Sequence, residues 1–323
     1  MRDYEGGNQS GSVRYEGMKG AFALVSFVIF AATSAPAAFG LEAGAEEGAT
    51  YADSAIPRTR ADESGLVLRL QILLDRSHFS PGLIDGRMGE NTVHALREFK
   101  KRWGLPADGR LDEETWNRLS QNSPKELVPY TLSTKDVSGP FAEDIPDDYA
   151  AMAKMEKLSY TSTAELLSEK FHVDIELLKS LNPGARFVRA GEKIIVPNVE
   201  DAVPQGKLER IEVDKVQGVL RGYGEDGKVV VVYPASIGSN DNPSPSGKMT
   251  VKGVARNPKY SYRPEVNFQQ KDNDAPLTLP PGPNGPVGSI WIDLTKETYG
   301  IHGTAQPELV GKASSHGCAR LTN

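Results

Sequence analysis

The sequence predicts a multidomain chain: a small three-helix domain, a small α+β (βααβ) module and a mostly β domain of sandwich or barrel type. Three observations predict it. Residues 64–119 repeat apolar side chains at spacings of three and four. Residues 158–197 place two short amphipathic helices before one β-branched run. From residue 208 onward, β-branched runs alternate with Gly- and Pro-rich turns. A chain of 323 residues has room for two or three such units. Its 38% apolar and 25% charged content fits folded domains rather than a disordered chain. A net charge of −6 gives no electrostatic footprint for nucleic acid.

Residues 1–40 read as a leader. Met18–Gly40 runs from a basic residue through an apolar core to small residues around Pro36, the order of a secretory signal peptide. Cleavage is expected within residues 35–40, with an uncleaved anchor as the alternative. Met18 is read as the start, with polar residues 1–17 ahead of it. Export to the periplasm or cell wall is an oxidising destination. The single cysteine, Cys318, has no internal disulfide partner there and needs an explanation through reactivity or intermolecular pairing.

In the three-helix unit, Leu66, Leu70, Leu73 and Leu74 share one helical face. Val93, Leu96, Phe99 and Trp103 line a second helix that Gly104 stops, and Asp112 caps a third. Two Asp-Gly turns, Asp85-Gly86 and Asp108-Gly109, bracket the second helix. Residues 120–157 read as a linker. The module at 158–197 has helices after Ser162 and after Asp174, then a strand at "KIIVP". His172 reads as a packing or surface residue. In the domain at 208–323, "GEDGK" between two β-branched runs signals a hairpin, and further strands are expected at "KMTVKGVAR" and "SIWIDL".

The chemistry concentrates in "YGIHGT" and "SSHGCARLTN". A thiol at its ordinary pKa supplies little thiolate at neutral pH, so Cys318 needs a neighbouring base or cation. His302 and His316 both qualify, and the residues alone do not choose between them. Gly317 permits tight geometry, and amides near Gly317 and Cys318 are placed to meet an oxyanion. Arg320 suits a substrate carboxylate. A zinc site of His302, His316 and Cys318 lacks an evident fourth ligand. An inert buried thiol is the remaining alternative; His, Gly and Arg are poor companions for one.

His302-Gly303, then Ser315-His316-Gly317-Cys318, Arg320 and Asn323 resemble the signature of the L,D-transpeptidases, over residues 208–323. The resemblance implies Cys318 as nucleophile and His302 as the proton carrier that activates it, with the Gly303 carbonyl holding the imidazole. It implies that Ser315 and His316 shape the site, that Gly317 and Cys318 donate to the oxyanion, that Arg320 contacts the stem peptide and that Asn323 fixes the loop. No cofactor or metal is implied. Acyl transfer from a tetrapeptide stem to a neighbouring stem amine would make 3→3 cross-links; water as acceptor would make an L,D-carboxypeptidase, and a wall-linked lipoprotein is a further acceptor. Residues 64–119 resemble a peptidoglycan-binding domain, and residues 158–197, through Asn182-Pro183 and Ile194–Pro197, a LysM module that binds glycan strands. A family domain ordinarily continues past the Asn, so the catalytic domain is expected to be truncated. The competing reading is a wall-binding protein with an incomplete third domain.

Overall fold

A computed structural model describes residues 12–16, 60–199, 204, 206–239, 242–312 and 315–323. The signal-peptide expectation for Met18–Gly40 lies outside them. Among the described residues no helix is long and apolar enough to cross a membrane.

Helices α1 (Arg60–Arg76), α2 (Glu90–Arg102) and α3 (Glu113–Ser120) form the first domain. Asp112 accepts from the Thr115 N–H at 2.8 Å and caps α3. Gly104, at φ +70°, ends the turn after α2 in a conformation that favours glycine. A buried polar side chain pins each Asp-Gly turn. Gln71 accepts from the Gly86 N–H at 2.8 Å, and the Lys100 ammonium donates to Asp108 and Asp112 at 2.8 and 2.7 Å. Leu70, Leu73, Leu74, Leu96, Phe99 and Trp116 fill the core. Helix α1 has a second apolar face, because Leu68 and Ile72 pack into the core of the next module. A helix apolar on two sides is one buried between two bodies.

That module is a two-stranded sheet, β2 (Leu127–Thr131) antiparallel to β3 (Lys193–Pro197), with α6 (Thr163–Lys170) and α7 (Ile175–Leu181) between them in sequence. The expected boundary at residue 158 is therefore corrected. The first strand lies within the supposed linker, which also holds the short helices α4 (Thr134–Val137) and α5 (Tyr149–Met152). Leu158 is not in a strand. Its backbone binds a loop of the β domain, donating to Pro281 O at 3.0 Å and accepting from the Asn284 N–H at 3.1 Å. Gly282 makes that approach possible, since a Cβ there would sit 1.9 Å from Leu158 O.

The third domain is mostly β. Strands β4 (Arg210–Asp214), β5 (Val219–Tyr223), β6 (Val229–Pro234), β7 (Gly247–Arg256), β10 (Ile290–Leu294), β11 (Gly300–His302) and β12 (Ala319–Arg320) join β1 (Ser12–Glu16) in one sheet, ordered β12-β11-β10-β7-β1-β4-β5-β6. Strands β8 (Tyr260–Tyr262) and β9 (Leu277–Leu279) make a separate hairpin. The ends of the large sheet meet. Ser236, just past β6, exchanges backbone hydrogen bonds of 3.0 and 2.9 Å with Arg320 of β12. The sheet thus closes on itself around Val213, Leu220, Met249, Leu294, Ile301 and Ala319, in place of two separately stacked sheets.

Candidate active site

Strand alternation assembles the site. In the parallel pair β11–β12, Ile301 stands opposite Ala319 and His302 opposite Arg320. Ile301 and Ala319 are buried in the barrel core. Their neighbours Gly300, His302, Cys318 and Arg320 therefore belong to the other face. Trp291 on β10 pairs with His302 across the antiparallel ladder, and the two rings stack with centroids 5.5 Å apart. The Trp291 ring also covers Gly300, where a Cβ would lie 2.5 Å from it.

His302 is 6% exposed, and its Nδ1 lies 2.7 Å from the Gly303 carbonyl. Donation to that carbonyl puts the ring proton on Nδ1 and leaves Nε2 as an acceptor. Burial pushes its pKa down to about 4, so the imidazole is neutral at physiological pH. The Cys318 thiol is pushed up by burial, against the opposing effects of the Gly300 N–H and Arg320. In this conformation Sγ donates to the Thr298 carbonyl at 3.7 Å rather than to His302.

The remaining signature residues build the loop. Ser315 donates to Cys318 O at 2.5 Å and accepts from the Gly317 N–H at 3.1 Å. Gly317 has φ +118°, and a Cβ would lie 2.9 Å from the Tyr299 ring. Asn323 accepts from the Ser289 N–H at 2.8 Å and donates to Thr304 O at 2.9 Å. It packs so closely on Gly303 that a Cβ there would sit 2.2 Å from Asn323 Oδ1. Arg320 Nη2 is 3.0 Å from His316 Nδ1, and the His316 ring lies flat on Phe268 at 3.9 Å. The Gly317 N–H is engaged by Ser315, and the Arg320 guanidinium meets His316. Among the described residues no group of three or more His, Cys, Asp or Glu side chains is placed to hold a metal.

Sequence reading missed Trp291, Phe268 and Thr298. Trp291 had a signal, since "SIWIDL" was read as a strand and the tryptophan lies on the His302 side of it. Phe268 had none, being in an irregular stretch far from the cysteine in sequence.

A lone thiol and a buried neutral imidazole on one face of a closed sheet define a thiol–imidazole site of the kind that carries acyl transfer. Residues 209–323 match the L,D-transpeptidase catalytic domain, and residues 63–119 match a peptidoglycan-binding domain. A Bacillus licheniformis protein named as an L,D-transpeptidase, YkuD, is 33% identical over 165 residues, covering 50% of this chain and 82% of that protein. The protein of the same name in Bacillus subtilis is 26% identical over 164 residues, with the same coverage of 50% and 82%. Among solved structures, an L,D-transpeptidase of Enterococcus faecium matches with a TM-score of 0.26 and 23% identity, over 34% of this chain and 40% of that one. The chain belongs to the L,D-transpeptidase family.

Proposed function

We propose that the protein is an exported peptidoglycan L,D-transpeptidase with Cys318 as nucleophile and His302 as its base. The placement of a neutral His302, its Nδ1 tied to Gly303 O, on the face that carries Cys318 supports this reading most directly. Cys318 Sγ attacks the carbonyl before the terminal D-residue of a tetrapeptide stem. Its proton passes to His302 Nε2, a C–S bond forms, and the C–N bond breaks. D-alanine leaves with the proton that His302 returns. An amine of a neighbouring stem then attacks the thioester and gives up a proton to His302. A C–N bond forms as the C–S bond breaks, and His302 returns the proton to the departing thiolate, leaving a 3→3 cross-link and free Cys318.

The Cys318 N–H stabilises the oxyanion, because Ser315 engages the Gly317 N–H. Arg320 turns from His316 to a substrate carboxylate, Asn323 holds the His302 loop, and His316 forms part of the wall. The helical domain at 64–119 and the LysM-like βααβ module, taken to begin with β2 rather than at residue 158, hold wall glycan. The test is incubation with a disaccharide tetrapeptide, followed by product analysis. A 3→3 dimer with free D-alanine supports the reading. Tripeptide alone moves the acceptor to water, and neither product from folded protein removes the reading.

A further inference from the structure

We infer that the insertion between β2 and α6 is a wall of the active-site cleft, and that Tyr149 on it is a positioning residue for the surface that meets the donor stem peptide. The insertion is tied to the β domain by polar contacts around Phe268. Asn273 donates to Asp148 at 2.7 Å, Gln270 donates to Asp147 O at 2.6 Å, and the Tyr149 N–H donates to Gln270 at 3.2 Å. The Tyr149 ring then meets Tyr260, Tyr262 and Phe268 edge-on, with centroids 5.9, 5.2 and 6.1 Å away. Phe268 lies flat on His316, which accepts from Arg320 two residues beyond Cys318. An unbroken line of contacts therefore runs from a module outside the catalytic domain to the cysteine loop. Arg320 interacts electrostatically with both Tyr149 and Tyr260, and Tyr260 alone of the two also with Cys318.

The physical consequence follows from the ring geometry. Phe268 has an edge contact with Tyr149 and a face contact with His316, and aromatic pairs of these kinds favour defined orientations. Without Tyr149, Phe268 keeps only its edge contact with Tyr262 at 6.0 Å, and its flat stack on His316 of the cysteine loop loosens. The module then contributes to donor binding through shape as well as through any glycan it holds. The inference rests on the transpeptidase reading only for the identity of the donor.

Cys318 is the sole cysteine, so alkylation by iodoacetamide, followed by intact mass, reads access to it without any substrate. Tyr149→Ala is expected to alkylate roughly three- to tenfold faster, and Tyr149→Phe, which keeps the ring, to recover the wild-type rate. Asn273→Ala removes the donors to Asp148 and to Gln270 while leaving every ring in place, and should shift the rate in the same direction. Combined with Phe268→Ala, Tyr149→Ala should add nothing further, because one acts through the other. With a tetrapeptide donor, Tyr149→Ala should raise KM more than it lowers kcat. Wild-type alkylation in folded Tyr149→Ala and Asn273→Ala proteins overturns the inference. If the first does not fold, the second decides alone. If the wild type accepts no donor, the transpeptidase reading falls while the alkylation rates still judge the wall.

Discussion

His302 sits where a charged imidazole has no solvation, and burial holds its pKa to about 4. Burial also pushes the Cys318 thiol up, so thiol and imidazole are both neutral across the middle of the pH range. The reactive pair is therefore already in the required state, and kcat/KM should be flat from about pH 5 to 8, with an acid limb near 4. An acid limb near 6.5, the ordinary histidine value, would contradict this. His302→Gln should lower acylation by about 10²–10⁴, the usual worth of a general base, measured as the single-turnover rate. At this scale much was legible: histidine, cysteine and arginine lie close in sequence or in a glycine-marked loop. Phe268 and Thr298 were not, because only the folded chain brings Thr298 to the thiol and Phe268 to His316.

Helix α6 docks the module on the catalytic loops through two carboxylates a turn apart. Glu165 accepts from Asn284 at 2.7 Å, and Glu169 accepts from Asn323 at 3.2 Å and from the Tyr160 hydroxyl at 3.0 Å. Burial raises the Glu169 pKa to about 7. The folded state thus holds a proton more tightly than the unfolded chain. The stability this gives is complete below the ordinary carboxylate value and is lost as pH rises through about 7. Glu169→Gln mimics the protonated form. Its stability relative to wild type should therefore increase between about pH 4.5 and 7, by up to about 3 kcal/mol. Urea melts at several pH values measure this, and a pH-independent difference would contradict it. Helix caps at Asp112, Ser162 and Asp174 were readable because capping is local. Strand β2 was not, since Pro129 interrupts its pattern and its partner β3 lies beyond an insertion and two helices.

Across the whole molecule, texture marked three units, but the contacts that join them have no local signature. Helix α1 gives Leu70 and Leu74 to its own domain and Leu68 and Ile72 to the module. Phe79 bridges to Val232 of β6, and buried Glu98 meets Arg221 of β5 at 2.9 Å. Ile72→Ala should cost about 2–5 kcal/mol, as large-to-small core changes do. Because α1, the Phe79–Val232 bridge and the Glu98–Arg221 pair tie the units together, urea midpoints by circular dichroism and by tryptophan fluorescence should shift together, whereas separate midpoints would show the units unfolding independently. The central claim is that this assembly presents Cys318 as an acylating thiol. Intact mass spectrometry after incubation with a tetrapeptide stem, beside Cys318→Ala, tests it most directly. The account predicts an adduct equal to the donor less D-alanine in the wild type and none in the variant. A folded wild-type protein that stays unmodified, or a variant that still carries the adduct, would contradict it.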